Sequence, residues 1–137
     1  MPKKFSYPIT FLHCRDLQEI RSFYEDILHL QVALEQDKCI IYRIGEKSQN
    51  AYWGFCDLYS EFLEHPEMVC LTLVVDTREE VDAWHSELVS KKVICIKPPG
   101  ALKQFGIYNA FYRDPMNHTI EIQVFDEDSK IKLYSIP

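Results

Sequence analysis

The 137-residue sequence has no apolar run longer than a few residues, no CxxC pair, no excess of basic side chains and only four glycines. Each absence excludes something. A membrane-crossing helix needs about 20 consecutive apolar residues. The N-terminal Met1-Pro2-Lys3-Lys4-Phe5-Ser6-Tyr7-Pro8 lacks the apolar stretch of a secretory signal, so export and membrane insertion are not expected. Lys and Arg number 15 against 21 Asp and Glu, a net charge of −6 with no basic stripe, which argues against a nucleic-acid partner. Cys14, Cys39, Cys56, Cys70 and Cys95 are odd in number and widely spaced. They read as reduced cysteines packed as small hydrophobes in a cytoplasmic protein. No GxSxG, P-loop, GxGxxG or HExxH motif is present.

What is present suits one globular domain: 47% hydrophobic, 26% charged and 13% aromatic residues. Residues 8–14 (PITFLHC) read as a buried strand. Asp16 then caps a helix, with Glu19 placed to complete a capping box and Leu17, Ile20, Tyr24, Ile27 and Leu28 on one face. Residues 31–36, 38–44 and 51–56 read as strands, and residues 57–67 as a linker. After it comes another apolar strand, residues 68–75, and a helix capped at Asp76-Thr77 with Val81, Trp84 and Leu88 inward. Residues 92–96 form a strand stopped by Pro98-Pro99-Gly100. Residues 106–112 and 119–125 follow as strands around an Asp114–Asn117 turn. The charged tail, residues 126–137, is expected to dock through Ile131, Leu133 and Tyr134.

The two halves repeat the order strand–helix–strand–strand–strand at an offset of 61, which brings Ile9 onto Cys70 (70 − 9) and Asp16 onto Thr77 (77 − 16). Three segments give the chain a family likeness. They are Asp16-Leu17 with Phe23-Tyr24 and Ile27-Leu28, then Val75-Asp76-Thr77 with Val81 and Trp84, and finally Asp114-Pro115-Met116-Asn117-His118-Thr119-Ile120-Glu121. In these, over about residues 7–125, the chain resembles the vicinal oxygen chelate superfamily of glyoxalases, extradiol dioxygenases and bleomycin-binding proteins. His29 and Asn117 stand where that family usually has glycine.

The resemblance implies an α+β fold of two βαβββ modules, about 7–57 and 68–125, joined by a linker at 58–67. They would form one domain with a cup-shaped mixed β-sheet, helices outside, and a homodimer. It also implies a divalent metal held by the first strand of each module and the last-strand glutamate. Here those positions are Ile9, Cys70 (or Val69) and Glu121, so only the glutamate survives intact. A relocated site using Glu121, Cys70 and His13 is one alternative; otherwise His13 caps one end of the cup as a ligand-binding residue or hydrogen-bonds to a neighbouring loop. Alternation sends Ile120, Ile122 and Val124 towards the helices and Thr119, Glu121 and Gln123 into the cup. There Glu121 could act as a base, bind a cation, or pair with Arg113 or Arg43. Tyr52, Trp53, Phe55, Tyr108, Phe111 and Tyr112 are candidates for rings lining the cup, with Gly54 leaving room beside them. His65, His85 and His118 are expected to be structural or solvated. Two functions follow: a metal-independent protein binding a small amphipathic or cationic molecule, or a metal-dependent lyase, isomerase or dioxygenase of the glyoxalase type.

Overall fold

The protein is described from a computed structural model covering residues 4–46 and 51–135. It divides into two compact units, Met1–Glu64 and His65–Pro137. The division falls inside the segment read as the linker. Each unit is a four-stranded mixed sheet with a helix on one face, so the fold is α+β with a repeated βαβββ order.

The first unit contains β1 (Ile9–His13), α1 (Leu17–Tyr24), β2 (Gln31–Gln36), β3 (Cys39–Arg43) and β4 (Tyr52–Cys56), in sheet order β1-β4-β3-β2. Asp16 caps α1 by accepting from the Gln18 N–H at 2.9 Å. Glu19 does not close the expected box, because its carboxylate reaches Arg15 at 3.5 Å instead. The helix stops at Tyr24, earlier than the apolar stripe suggests. A tight turn follows, with Leu28 N–H on the Phe23 carbonyl and His29 at φ 58, a left-handed conformation that glycine adopts more cheaply. Ile20, Phe23, Tyr24 and Leu28 are buried, as are Ile40, Tyr42 and Phe55 of the sheet. The aromatic rings interlock, Tyr24–Phe55 at 4.6 Å and Tyr42–Phe55 at 6.1 Å between centroids.

The second unit contains β5 (Cys70–Val74), α2 (Arg78–Ser90), β6 (Cys95–Leu102), β7 (Ile107–Arg113), β8 (Thr119–Phe125) and α3 (Glu127–Tyr134), in sheet order β5-β8-β7-β6. Thr77 Oγ1 accepts from the Glu80 N–H at 3.1 Å, and the Glu80 carboxylate returns to the Asp76 N–H at 2.8 Å, a capping box slid back by one residue. The inward stripe of α2 is Val81, His85 and Leu88, because Tyr112 Oη lies 2.8 Å from His85 Nδ1. His85 is therefore a sheet-facing residue and not a solvated one.

Two expectations are corrected. Pro98-Pro99-Gly100 does not end the strand. β6 runs through all three as an edge strand, where a missing N–H faces no partner and two register breaks absorb the prolines. The tail is not docked through its apolar residues. It forms α3, capped by Asp126 accepting from the Ser129 N–H at 2.8 Å, with Ile131, Leu133 and Tyr134 exposed. Its first turn makes the attachment: Lys130 Nζ donates to the Asp76 carbonyl, and Ser129 and Asp126 press on Gly106. The hairpin at Asp114–His118 is built by one carboxylate. Asp114 Oδ1 accepts from the Met116 and His118 N–H groups, and Oδ2 lies 2.8 Å from His118 Nδ1, with Asn117 at φ 66. Among the described residues no helix is long and apolar enough to cross a membrane.

Candidate functional site

Parallel pairing places Cys70 beside Thr119, Thr72 beside Glu121 and Val74 beside Gln123. Antiparallel pairing adds Asn109, Phe111 and Arg113 to the same face. This is the face of the second sheet opposite α2. The other face presents Tyr108, Ala110, Tyr112, Ile120, Ile122 and Val124 to the helix, as the Tyr112–His85 and Tyr108–Asp82 contacts show.

Glu121 is the centre of the helix-free face. It is 9% exposed and Asn109 is fully buried. A buried carboxylate needs donors, and Glu121 has two: Thr72 Oγ1 donates to Oε1 and Asn109 Nδ2 to Oε2, each at 2.7 Å. Lys97 Nζ then donates to Asn109 Oδ1 at 2.8 Å and to the Asn109 carbonyl at 2.9 Å. The result is a relay from an ammonium through an amide to a carboxylate, charge-balanced across one side chain. Arg113 does not pair with Glu121; its guanidinium donates to Thr119 Oγ1, which itself donates to the Glu67 carbonyl.

Cys70 Sγ stands 4.0 Å from Glu121 Oε1. Burial and the Glu121 charge push its thiol above the usual range, while Thr72 opposes them. His13 belongs to the first unit, where its Nδ1 lies 3.0 Å from the Glu61 carbonyl and its ring stacks on Tyr59 at 4.3 Å. Ile9, at the start of β1, offers no donor atom. Among the described residues no three His, Cys, Asp or Glu side chains come together to hold a metal. The donors themselves do not fit a divalent ion. One carboxylate and one thiol are fewer donors than a divalent ion needs, and a thiol pushed upwards resists becoming the thiolate that metals bind.

The expected ring lining is also corrected. Trp53 and Phe55 point at α1, where Tyr24 meets them at 6.3 Å and 4.6 Å. Tyr108 and Tyr112 point at α2. Tyr52 is on the helix-free face of the first sheet, packed on Tyr7 at 5.5 Å. The space beside Gly54 is filled by the Phe11 ring: a Cβ at Gly54 would lie 2.3 Å from Phe11 Cε1. Of the named rings, Phe111 alone shares the face of Glu121.

Thr72, Asn109 and Lys97 are functional candidates that the sequence reading passed over. A signal existed for two of them. Thr72 interrupts the apolar run CLTLV, and Asn109 interrupts GIYNAFY two residues before Phe111. A cavity of about 570 Å³ lies elsewhere in the second unit, lined by Asp76–Glu79 at the start of α2 and by Lys103, Tyr108, Asp126 and Lys130. None of the groups bonded to Glu121 lines it.

The repeated βαβββ order, each half closing into its own four-stranded mixed sheet, defines the class of fold. The chain belongs to the Glyoxalase/Bleomycin resistance protein/Dioxygenase superfamily, whose family model matches residues 8–122. Similar solved structures include a glyoxalase/bleomycin resistance protein/dioxygenase from Nocardioides. It has 12% identity, a TM-score of 0.73, and coverage of 93% of this chain and 87% of that one. A hypothetical protein from S. aureus has 21% identity, a TM-score of 0.72, and coverage of 89% and 95%. A lactoylglutathione lyase from Agrobacterium tumefaciens has 17% identity, a TM-score of 0.69, and coverage of 90% and 96%. No curated protein matches the sequence. At these identities the likeness establishes the fold alone.

Proposed function

We propose that the chain is a small-molecule-binding member of this superfamily that works without a resident metal. Its ligand would be a small amphipathic or cationic molecule, held against the helix-free face of the second sheet. The supporting observation is the state of Glu121. Its two oxygens are oriented by two neutral donors, Thr72 and Asn109, and the Lys97 ammonium reaches the carboxylate charge only through the Asn109 amide. A ligand ammonium or hydroxyl gains from that charge, and Phe111 offers an apolar face to the rest of the molecule. With Lys97 one amide away, a head group carrying both donor and acceptor atoms suits the relay best. A cytoplasmic setting and a second copy of the chain as partner go with this reading.

Elemental analysis of protein purified without chelator or affinity-tag metal tests it first, followed by add-back of Zn, Mn, Fe, Co and Ni with thermal-shift readout. The expected result is no stoichiometric metal and no ion-specific stabilisation. A near-stoichiometric ion overturns the metal-free reading. A thermal-shift screen of small amphipathic amines is then expected to give stabilisers that Glu121→Gln abolishes and Arg78→Ala leaves alone. The reverse pattern would place binding in the cavity at the start of α2 instead.

A further inference from the structure

Five cysteines are spread along the sequence with no motif among them, yet strand pairing brings two together. Cys39 opens β3 and Cys56 closes β4, and in the antiparallel register they stand directly opposite. Opposed residues in such a ladder have Cα atoms about 4.5–5.5 Å apart, inside the 4.4–6.8 Å that a disulfide spans. Their side chains leave the same face of the sheet, and the two sulfur atoms are 2.8 Å apart, against about 2.05 Å in a disulfide. Cys56 is half-buried and Cys39 is buried, so Cys56 is the more accessible residue of the pair. Close by is Asp57, whose Oδ1 is buried without a hydrogen-bond partner among the described residues. Its charge bears on both Cys14 and Cys56.

We propose that Cys39 and Cys56 are a reversible oxidation site, closing into a disulfide across the β3–β4 hairpin when hydrogen peroxide is supplied. The step balances. The Cys56 thiolate attacks one peroxide oxygen, the O–O bond breaks, and the departing hydroxide takes a proton to become water, leaving Cys56 as a sulfenic acid. Cys39 then attacks the Cys56 sulfur, the S–S bond forms, and the second hydroxide leaves as water with the Cys39 proton. Two thiols lose two protons and two electrons, and one peroxide becomes two waters. The backbone does not have to move, because the register already sets the reach.

The surroundings determine the rate. Burial pushes the Cys56 thiol up to about 12, with the Cys39 hydrogen bond and the neighbouring Cys39, Cys14 and Asp57 charges adding to it. Few chains therefore carry the thiolate at neutral pH. The pair is sluggish there and quickens by nearly tenfold for each pH unit, the thiolate being the attacking species.

The test uses the full reduced chain, hydrogen peroxide and mass spectrometry with alkylation. A mass loss of about 2 Da is expected, the two thiol hydrogens. Two of the five thiols should escape alkylation, and one cross-linked peptide pair should join Cys39 to Cys56, all reversed by dithiothreitol. Raising the pH from 7 to 8 should speed closure about tenfold. In Cys39→Ser the 2 Da loss should vanish and Cys56 should become trappable by dimedone. A cross-link through Cys14, Cys70 or Cys95, or retention of all five thiols, overturns the proposal. Mapping the link in the wild-type chain decides the matter even where the variant folds poorly.

Discussion

The two units use the same strand order and nearly the same spacing, yet they fill the same central position oppositely. In the first, Phe11 of β1 lies beside Gly54 of β4. In the second, Thr72 of β5 lies beside Glu121 of β8. Both pairs are the middle residues of a parallel first-to-last strand ladder. In one unit a phenyl ring covers a glycine; in the other a hydroxyl donates to a buried carboxylate. The contrast shows what a duplicated scaffold permits. Backbone pairing holds the strands in place whatever the facing side chains are, so one copy can carry a polar network while the other carries an apolar lid and a thiol pair. The same freedom leaves Ile9 and Phe11, neither of which has a donor atom, at the first and middle positions of β1, while the middle of β8 carries Glu121 in a hydrogen-bonded network.

The comparison is broken most severely at Asn109, which has no counterpart network in the first unit. Asn109→Leu removes the amide donor to Glu121 and the side-chain acceptor for Lys97 together, leaving Glu121 on Thr72 alone and Lys97 on the backbone carbonyl of residue 109. A loss of about 3 kcal/mol is expected in urea unfolding, since depriving a buried carboxylate of one of its two donors costs far more than losing a surface hydrogen bond. A loss below about 1 kcal/mol would mean that the relay is solvated and that Glu121 is not held as described.

Next in size is an alkaline effect centred on the first unit. Burial, then the charges of Asp57 and Asp16, raise the Cys14 thiol from 9.0 to about 11 in the folded chain. A folded value above the unfolded one means the stabilisation is complete below pH 9. It is lost as the pH rises from 9 to about 11, by up to about 1.4 kcal/mol per pH unit. The difference in urea stability between wild type and Cys14→Val should shrink through that window. Cys70→Val, at an exposed position in the second unit, should change the slope less. Parallel curves for wild type and Cys14→Val would contradict the assignment.

Much of this architecture is legible in the sequence because it rests on local rules. Asp16 and Thr77 each cap a helix, and β1 and β5 start 61 residues apart (70 − 9), as do α1 and α2 (78 − 17). The alternation Thr119, Glu121, Gln123 against Ile120, Ile122, Val124 placed the carboxylate on the correct face, because a parallel-paired strand beside a helix must turn its branched apolar residues inward. The rings were less legible. Tyr52-Trp53-Gly54-Phe55 alternates, but alternation does not say which face meets the helix, and it is Phe11, far away in sequence, that occupies the side of Gly54. The strand through Pro98-Pro99 needed knowledge that β6 is an edge, which is a tertiary fact. The donors of Glu121 come from strands 49 and 12 residues away, a separation no local pattern reports.

The smallest expected effect sharpens the comparison most, because it tests the Phe11–Gly54 pairing itself. Phe11 is half exposed, so Phe11→Ala should cost about 1 kcal/mol, well short of the 3–5 kcal/mol for a fully buried ring. Gly54→Ala in the wild-type chain places a Cβ 2.3 Å from the ring, which must swing outward. The small gain of a strand alanine over glycine, about 0.5–1 kcal/mol, is then offset. In the Phe11→Ala background the ring is gone, and the same substitution should be stabilising. The double-mutant cycle should therefore show a favourable coupling of about 1 kcal/mol between the two changes. Additivity within about 0.3 kcal/mol would mean that the ring does not rest on the glycine. The first unit's central position would then lie uncovered, in contrast to the hydrogen-bonded Thr72–Glu121 position of the second.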